Sequence, residues 1–366
     1  YGSPFIRSLD EGRRYARIED FRNFVKLAYM ATSLHHSGGT ICEPVDLPVN
    51  KRHLDMVYTH MRYSDKPFMG SVTHPERAAD TVALARAHGA RVIVSHGQRS
   101  DSCARNAGAR VARGNWLVFL DADVEVSANV LVDALQRAQE SHAAATFGVY
   151  DCGSHLQGIV ERYKNFWIRH TTLSAPRPFR WLNTSIAFVR YEAWDAVGGF
   201  EEKFHARRGG GDLEFGRRLH ERVGPVLLDT KTEVTHHKRF TLRTLLDNDF
   251  RRSRGWMRLA LHTRGVGGIV VQPRQANVGR RFSWGAIATA GGTVAAAGTI
   301  AFDVLWPVAA IGLAAAPLMN ADFLWAAARS RVSGWPMFIP LLWLDGLACC
   351  AGLGVEAGAQ LLHRDH

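Results

Sequence analysis

Two aspartates stand one residue apart at the end of Trp116-Leu117-Val118-Phe119-Leu120-Asp121-Ala122-Asp123. The unbroken apolar run predicts a buried strand, and the carboxyl end of a strand is where an open α/β sheet presents its ligand. Two carboxylates at such a place can turn toward one hard divalent cation, and that cation can hold a diphosphate. A helix cap or an ordinary loop carries the same triplet often, so the neighbouring residues decide between these readings. Upstream stand Ala104-Arg105-Asn106-Ala107-Gly108 and Ala112-Arg113-Gly114.

The elements around the triplet read as alternating units. Thr81 to His88 predicts a helix and Ala90 to Ser95 a strand. Ser102 to Arg113 predicts a helix, Ser127 to Glu140 an amphipathic helix, and Ala143 to Tyr150 a strand. This order suits a mostly parallel, doubly wound sheet. Before it, Glu19 to Tyr29 has helical apolar spacing, His53 to Met61 reads as a short helix, and Lys66 to Val72 as a buried strand.

Composition limits the class. The chain has 366 residues, a formal net charge of +11, 46% hydrophobic and 22% charged residues. That excludes wholesale disorder, and a mean hydropathy of −0.13 excludes a protein that is membrane throughout. The five cysteines form no CxxC pair and suit neither a zinc site nor a disulfide framework, so reduced thiols in the cytosol are expected. No signal-peptide pattern precedes the first helix, and Tyr1 reads as an internal position of a longer reading frame.

The last part of the chain differs. Phe282 to Phe302 is 21 residues without a charge, Val304 to Met319 is 16 containing Pro307, and Trp335 to Val355 is 21 with Asp345 as the one charge. These predict about three transmembrane helices within 282–362. Basic residues from Lys238 to Arg281 precede the first run, and Arg329 and Arg331 fall between the second and third. They read as the cytosolic flank of a multi-pass segment in the plasma (inner) membrane, and no nucleic-acid motif is present to claim them. Arg251-Arg252-Ser253-Arg254-Gly255-Trp256 reads either as a basic helix lying on the membrane interface or as a charged solvated helix.

The run from Arg105 to Asp123 resembles the "RNxG…A.G…hhhhLDxD" pattern of the family 2 glycosyltransferases of the GT-A fold. Three further segments continue the resemblance in order. Asn183 to Phe188 with Arg190, then Val197-Gly198-Gly199-Phe200-Glu201-Glu202, is similar to the family's acceptor-side segment. Gly211-Asp212-Leu213-Glu214-Phe215 is similar to its "ED" helix, and Val234-Thr235-His236-His237 to its "V.H" strand end. The resemblance implies a nucleotide-diphosphate sugar donor lying over Asp121 and Asp123, with Mg²⁺ or Mn²⁺ bridging its phosphates. Arg105 and Asp121 would contact the nucleotide and Asp123 would hold the metal. Asp212 would be the general base for an inverting attack by a lipid-linked or polysaccharide acceptor. His236 is either a metal or diphosphate contact or a solvated loop histidine. Asn183 is either a ligand or a turn residue, and Glu202 either lines the acceptor pocket or is a surface carboxylate.

The resemblance has departures. Gly211 stands where the family carries a Glu before the base, and QxxRW is absent. The family's opening strands, which bind base and ribose, have no counterpart upstream of Thr81. The expected GT-A domain, 80–265, is therefore incomplete, with sugar transfer expected to be weak or lost for want of the donor-binding strands, and is followed by a basic linker at 266–281. Residues 1–79 instead resemble trimethylamine methyltransferase. Leu34-His35-His36-Ser37-Gly38-Gly39-Thr40, Glu43 to Asp46, Asn50 to Met56, Ser64 to Gly70 and Pro75 to Ala78 carry that resemblance. It implies a partial TIM-barrel fragment, since about eight strands close a barrel. The expected whole is an α/β fusion: barrel fragment, incomplete Rossmann-like GT-A domain, transmembrane helices. A trimethylamine–corrinoid methyltransferase and a non-catalytic membrane protein are the rival readings.

Overall fold

A computed structural model describes residues 25–29, 55–61, 91–95, 101–121, 124–126, 128–153, 155–175, 177–202, 211–271 and 280–362. The expected strand at Lys66 to Val72, the expected helix at Thr81 to His88, and Asp123 lie outside them. The chain forms two compact units. One comprises residues 1–150 and 177–238, the other 151–176 and 239–366.

The first unit is built on one eight-stranded sheet. Its strands are β1 (Val25–Tyr29), β2 (Asp55–Met61), β3 (Arg91–Ser95), β4 (Trp116–Leu120), β5 (Val124–Glu125), β6 (Ala145–Tyr150), β7 (Ile186–Arg190) and β8 (Val226–His236). They lie in the order β3-β2-β1-β4-β7-β6-β8-β5. β3, β2, β1 and β4 run parallel to their neighbours, as do β6 and β8. β7 is antiparallel to both β4 and β6, and β5 is antiparallel to β8. The sheet is thus mixed, where a mostly parallel one was expected.

Strand β4 is buried along its whole length, as its unbroken apolar run requires of a strand covered on both faces. The helices α1 (Asp101–Val111) and α2 (Ala128–Glu140) occupy the predicted places. α4 (Tyr191–Ala196) and α5 (Gly211–Arg222) complete the unit's described helices. Phe200 meets Phe119 edge-on with ring centroids 5.3 Å apart and stacks on Phe215 at 4.0 Å. Each such enclosed phenylalanine contributes about 1.5–3 kcal/mol.

Two expectations are corrected here. Val25–Tyr29 and Asp55–Met61 are strands, not helices. Their β-branched and aromatic residues (Val25, Tyr29, Val57, Tyr58, Thr59) suit a pleated surface, and pairing on both sides outweighs a short helical periodicity. Both enter the sheet of the first unit.

The second unit is helical: α3 (Ile159–Ser174), α6 (Leu242–Val271), α7 (Arg280–Gly298), α8 (Trp306–Met319), α9 (Ala321–Arg329) and α10 (Phe338–Leu362). Its core joins Tyr163, Phe166 and Trp167 of α3 to Phe323, Phe338 and Leu342. Among the described residues one helix, Trp335–Gln360, is long and apolar enough to cross a membrane. Asp303–Met319 and Ala321–Arg329 reach that measure only as a pair bent by 50°. α7 falls short of it because Ala, Gly and Thr dominate its sequence.

Candidate active site at the carboxyl edge of the sheet

Asp121 follows β4 directly. Its backbone N–H donates to Ser185 O at 3.1 Å, and its carbonyl accepts Val124 N–H at 3.2 Å. Arg105, buried on α1, donates from its guanidinium to Asp121 Oδ1 at 3.3 Å. The same guanidinium lies over the Phe200 ring, 5.5 Å from its centroid. One carboxylate oxygen is therefore already turned toward a cation at the strand end.

Asn183 makes a turn into β7. Its Oδ1 accepts the Ser185 N–H at 3.1 Å and the Ser185 hydroxyl at 2.6 Å, the pattern by which Asn replaces a backbone turn. Ser185 Oγ also lies 2.6 Å from Tyr150 Oη at the end of β6. The Tyr150 ring stacks on His236, with centroids 4.1 Å apart and planes 7° from parallel. His236 is buried, which corrects the solvated-loop reading. It is paired with Val124, so β5 brings the end of β8 to the segment after Asp121. Its neighbour His237 meets Glu125 at 2.7 Å. Contacts thus run continuously from Arg105 through Asp121, Ser185 and Tyr150 to His236.

Asp212 stands at the start of α5. Its carbonyl accepts Leu182 N–H at 3.4 Å, one residue before Asn183. Its Oδ1 accepts the N–H of the next residue, Leu213, at 2.9 Å, within the helix's first turn. Glu202 is engaged by α1. Its Oε1 accepts from Asn106 at 2.8 Å and from Arg110 at 2.7 Å, and Cys103 Sγ approaches Oε2 at 3.6 Å. Burial raises this carboxyl's pKa, but the bonds from Asn106 and Arg110 outweigh it and leave it below the usual range.

Three contributors were missed in the sequence. Asn106 also ties the Phe200 backbone in both directions, at 2.7 and 2.8 Å. Arg218 grips Glu214 with two bonds, at 2.6 and 2.7 Å, and donates to the Val197 and Gly199 carbonyls. Glu214 therefore braces the Gly198-Gly199 loop. The i,i+4 spacing of Glu214 and Arg218 was a legible signal. Tyr150 carried none, because its role depends on the pairing of distant strands.

Among the described residues no group of three His, Cys, Asp or Glu is arranged to hold a metal. Asp121 and His236 do offer the oxygen and nitrogen donors that Mg²⁺ or Mn²⁺ accepts.

Comparison with known proteins matches two families to overlapping parts of the chain. Residues 77–192 match the family described as Glycosyl transferase family 2, and residues 1–103 match Trimethylamine methyltransferase (MTTB). Over 85 residues the chain is 49% identical to glycine betaine methyltransferase of Desulfitobacterium hafniense, which is 23% of this chain and only 18% of that protein. The fold is similar to the mannosyltransferase PcManGT from Pyrobaculum calidifontis, solved with GDP-Man and Mn²⁺. That match has a TM-score of 0.50 and 14% identity, and covers 93% of each chain. A second solved structure, S. aureus TarS 1–349, matches at a TM-score of 0.38 and 13% identity over 86% of this chain and 84% of that one. The chain therefore carries a family 2 glycosyl transferase region on a glycosyltransferase-like fold.

Proposed function

We propose that the chain transfers a sugar from a nucleotide-diphosphate donor to a lipid-linked or envelope polysaccharide acceptor, with inversion, at the carboxyl edge of its sheet. The observation that carries this reading is the convergence of residues that stand far apart in the sequence. Asp121, Asn183 with Ser185, and His236 are joined there by hydrogen bonds, a ring stack and strand pairing, and the Asp212 backbone meets the residue before Asn183. The ends of β1 and β4 lie level, with Tyr29 opposite Leu120, and the strand order reverses between these two strands, the place where open sheets bind nucleotides.

Arg105 and Asp121 contact the nucleotide diphosphate in this reading. Asp123 and His236 would hold Mg²⁺ or Mn²⁺; bound there, the cation supplies charge for the departing diphosphate. Asp212 takes the proton of the acceptor hydroxyl. The hydroxyl oxygen then bonds to the anomeric carbon on the face opposite the diphosphate, which leaves with the electron pair of the broken C–O bond. Asn183 and Glu202 are assigned to the acceptor side, Asn183 through the turn it makes and Glu202 through the loop it anchors to α1. Residues 80–265 form the catalytic region, and β1 and β2 of the methyltransferase-like segment stand in for its opening strands. The helices of 282–362 cross the plasma membrane, and the catalytic region lies on its cytoplasmic side.

The test is calorimetric binding of UDP and GDP with Mn²⁺, alongside sugar release from their hexose conjugates. Asp121→Asn is expected to abolish nucleotide binding. Asp212→Asn is expected to keep it and to lower turnover about 10²–10⁴-fold. Failure of every nucleoside diphosphate to bind the intact chain would overturn the reading.

A further inference from the structure

The second unit hides its small residues and shows its large ones. α7 and α8 pack through Gly292 and Gly312, so closely that a Cβ on Gly292 would lie 2.8 Å from Gly312 Cα. Ala286, Ala309 and Ala316 are buried on the same two helices. On their outer faces Val294 is 74% exposed and Ile311 72%, and on α9 Trp325 is 69% exposed. A helix in water turns such side chains inward. Helices that pack in lipid meet through small residues and leave large apolar ones outside. α7 is 19 residues long, about 28 Å at 1.5 Å per residue and close to the thickness of a hydrocarbon core. Charge is kept to the ends: Arg281 meets Asp322 at 3.2 Å at one, and Asp303 lies in the turn at the other.

α10 behaves differently, although it is the longest apolar helix. Among its described residues only Leu344 and Val355 are large apolar side chains that reach the surface. It carries two carboxylates, Asp345 and Glu356, each 1% exposed. Asp345 accepts the Tyr163 hydroxyl at 2.8 Å and lies 3.7 Å from Lys164 Nζ, which itself meets Asp249 of α6 at 2.6 Å. Glu356 is held by Arg254 at 3.0 Å and Arg258 at 2.6 Å, both on α6. Gly352, between the two carboxylates, packs on the Phe250 backbone. α6 thus covers one side of α10 and brings exposed Arg252 with it. The other side meets α7 and α8: a Cβ on Gly346 would lie 3.1 Å from Ala286, and the Trp343 indole donates to Leu313 O at 2.8 Å. Hydrocarbon against the α6 side would enclose ionised arginine, which lipid disfavours.

We propose that the hydrocarbon of a lipid bilayer is met by α7, α8 and α9, and that α10 stands behind them as an inner helix held to α6 by Glu356 and to α3 by Asp345. This rests on the membrane-associated reading of the unit and deepens it. The test places the full chain in phosphatidylcholine–phosphatidylglycerol vesicles with a lipid-partitioning carbene reagent, then maps the label by peptide mass spectrometry. Label per residue across 284–325 is expected to exceed that across 341–356 by at least about fivefold. Equal or heavier label on 341–356 overturns this inference and leaves membrane association standing. Label on 284–325 no higher than on α2, with no flotation of the chain with vesicles, overturns both.

Discussion

Glu202 shows how a single carboxylate ties loop to helix. Burial works against its charge, but Asn106 and Arg110 donate to it and the balance lowers its pKa below 4.5. A group with a depressed folded pKa contributes stability above its unfolded value and loses it as pH falls through the folded one. Glu202→Gln is expected to lower stability by about 1 kcal/mol near neutrality, with the gap from the parent closing below about pH 4. Denaturant midpoints at pH 7 and pH 3 check this; an equal gap at both would mean that the charged carboxylate plays no such role. Arg218 does the same on the other side of the loop through neutral backbone carbonyls as well as Glu214, so its hold is less exposed to acid.

At the scale of elements, the site depends on how closely α5 approaches the segment that leads into Asn183. Gly216 on α5 lies against the backbone of Trp181 and Leu182, where any Cβ would collide. A flexible side chain could move aside, but backbone that leads into a turn cannot do so cheaply. Gly216→Ala is expected to destabilise the first unit by about 1–3 kcal/mol and to weaken transfer by displacing Asn183. A thermal midpoint and activity equal to the parent would refute that packing. The family resemblance of Gly211–Phe215 implies a helix, and Gly216 just after that motif hints at a close neighbour. Which neighbour it is cannot be read from local spacing, since Trp181 is 35 positions away in the chain.

At the scale of the molecule, two segments with different relatives share one sheet. β1 is paired on both sides, to β2 and to β4, so its amides belong to the interior of the ladder. In the intact chain, Val25–Tyr29 and Asp55–Met61 are expected to exchange their amide hydrogens as slowly as Trp116–Leu120. Exchange within seconds at the first two alone would mean that the methyltransferase-like segment does not complete the sheet. The expectation of about three membrane helices meets a related limit. Hydropathy ranks α10 first and passes over α7, yet the burial of small residues and the pairing of charges order them the other way.

The amino-acid sequence by itself determined the strand that delivers Asp121, the helices on either side of it and the presence of two family resemblances in one chain. These rest on periodicity, apolar runs and short spacings, which neighbouring residues settle among themselves. Only the tertiary structure decided that Val25–Tyr29 and Asp55–Met61 are strands, that His236 is buried under Tyr150, that Glu214 braces a loop, and that α10 turns Asp345 toward α3 and Glu356 toward α6. Each of these depends on a partner far away in the chain. Long-range pairing and enclosure set which local preference prevails, and no window of neighbouring residues contains the partner that does so.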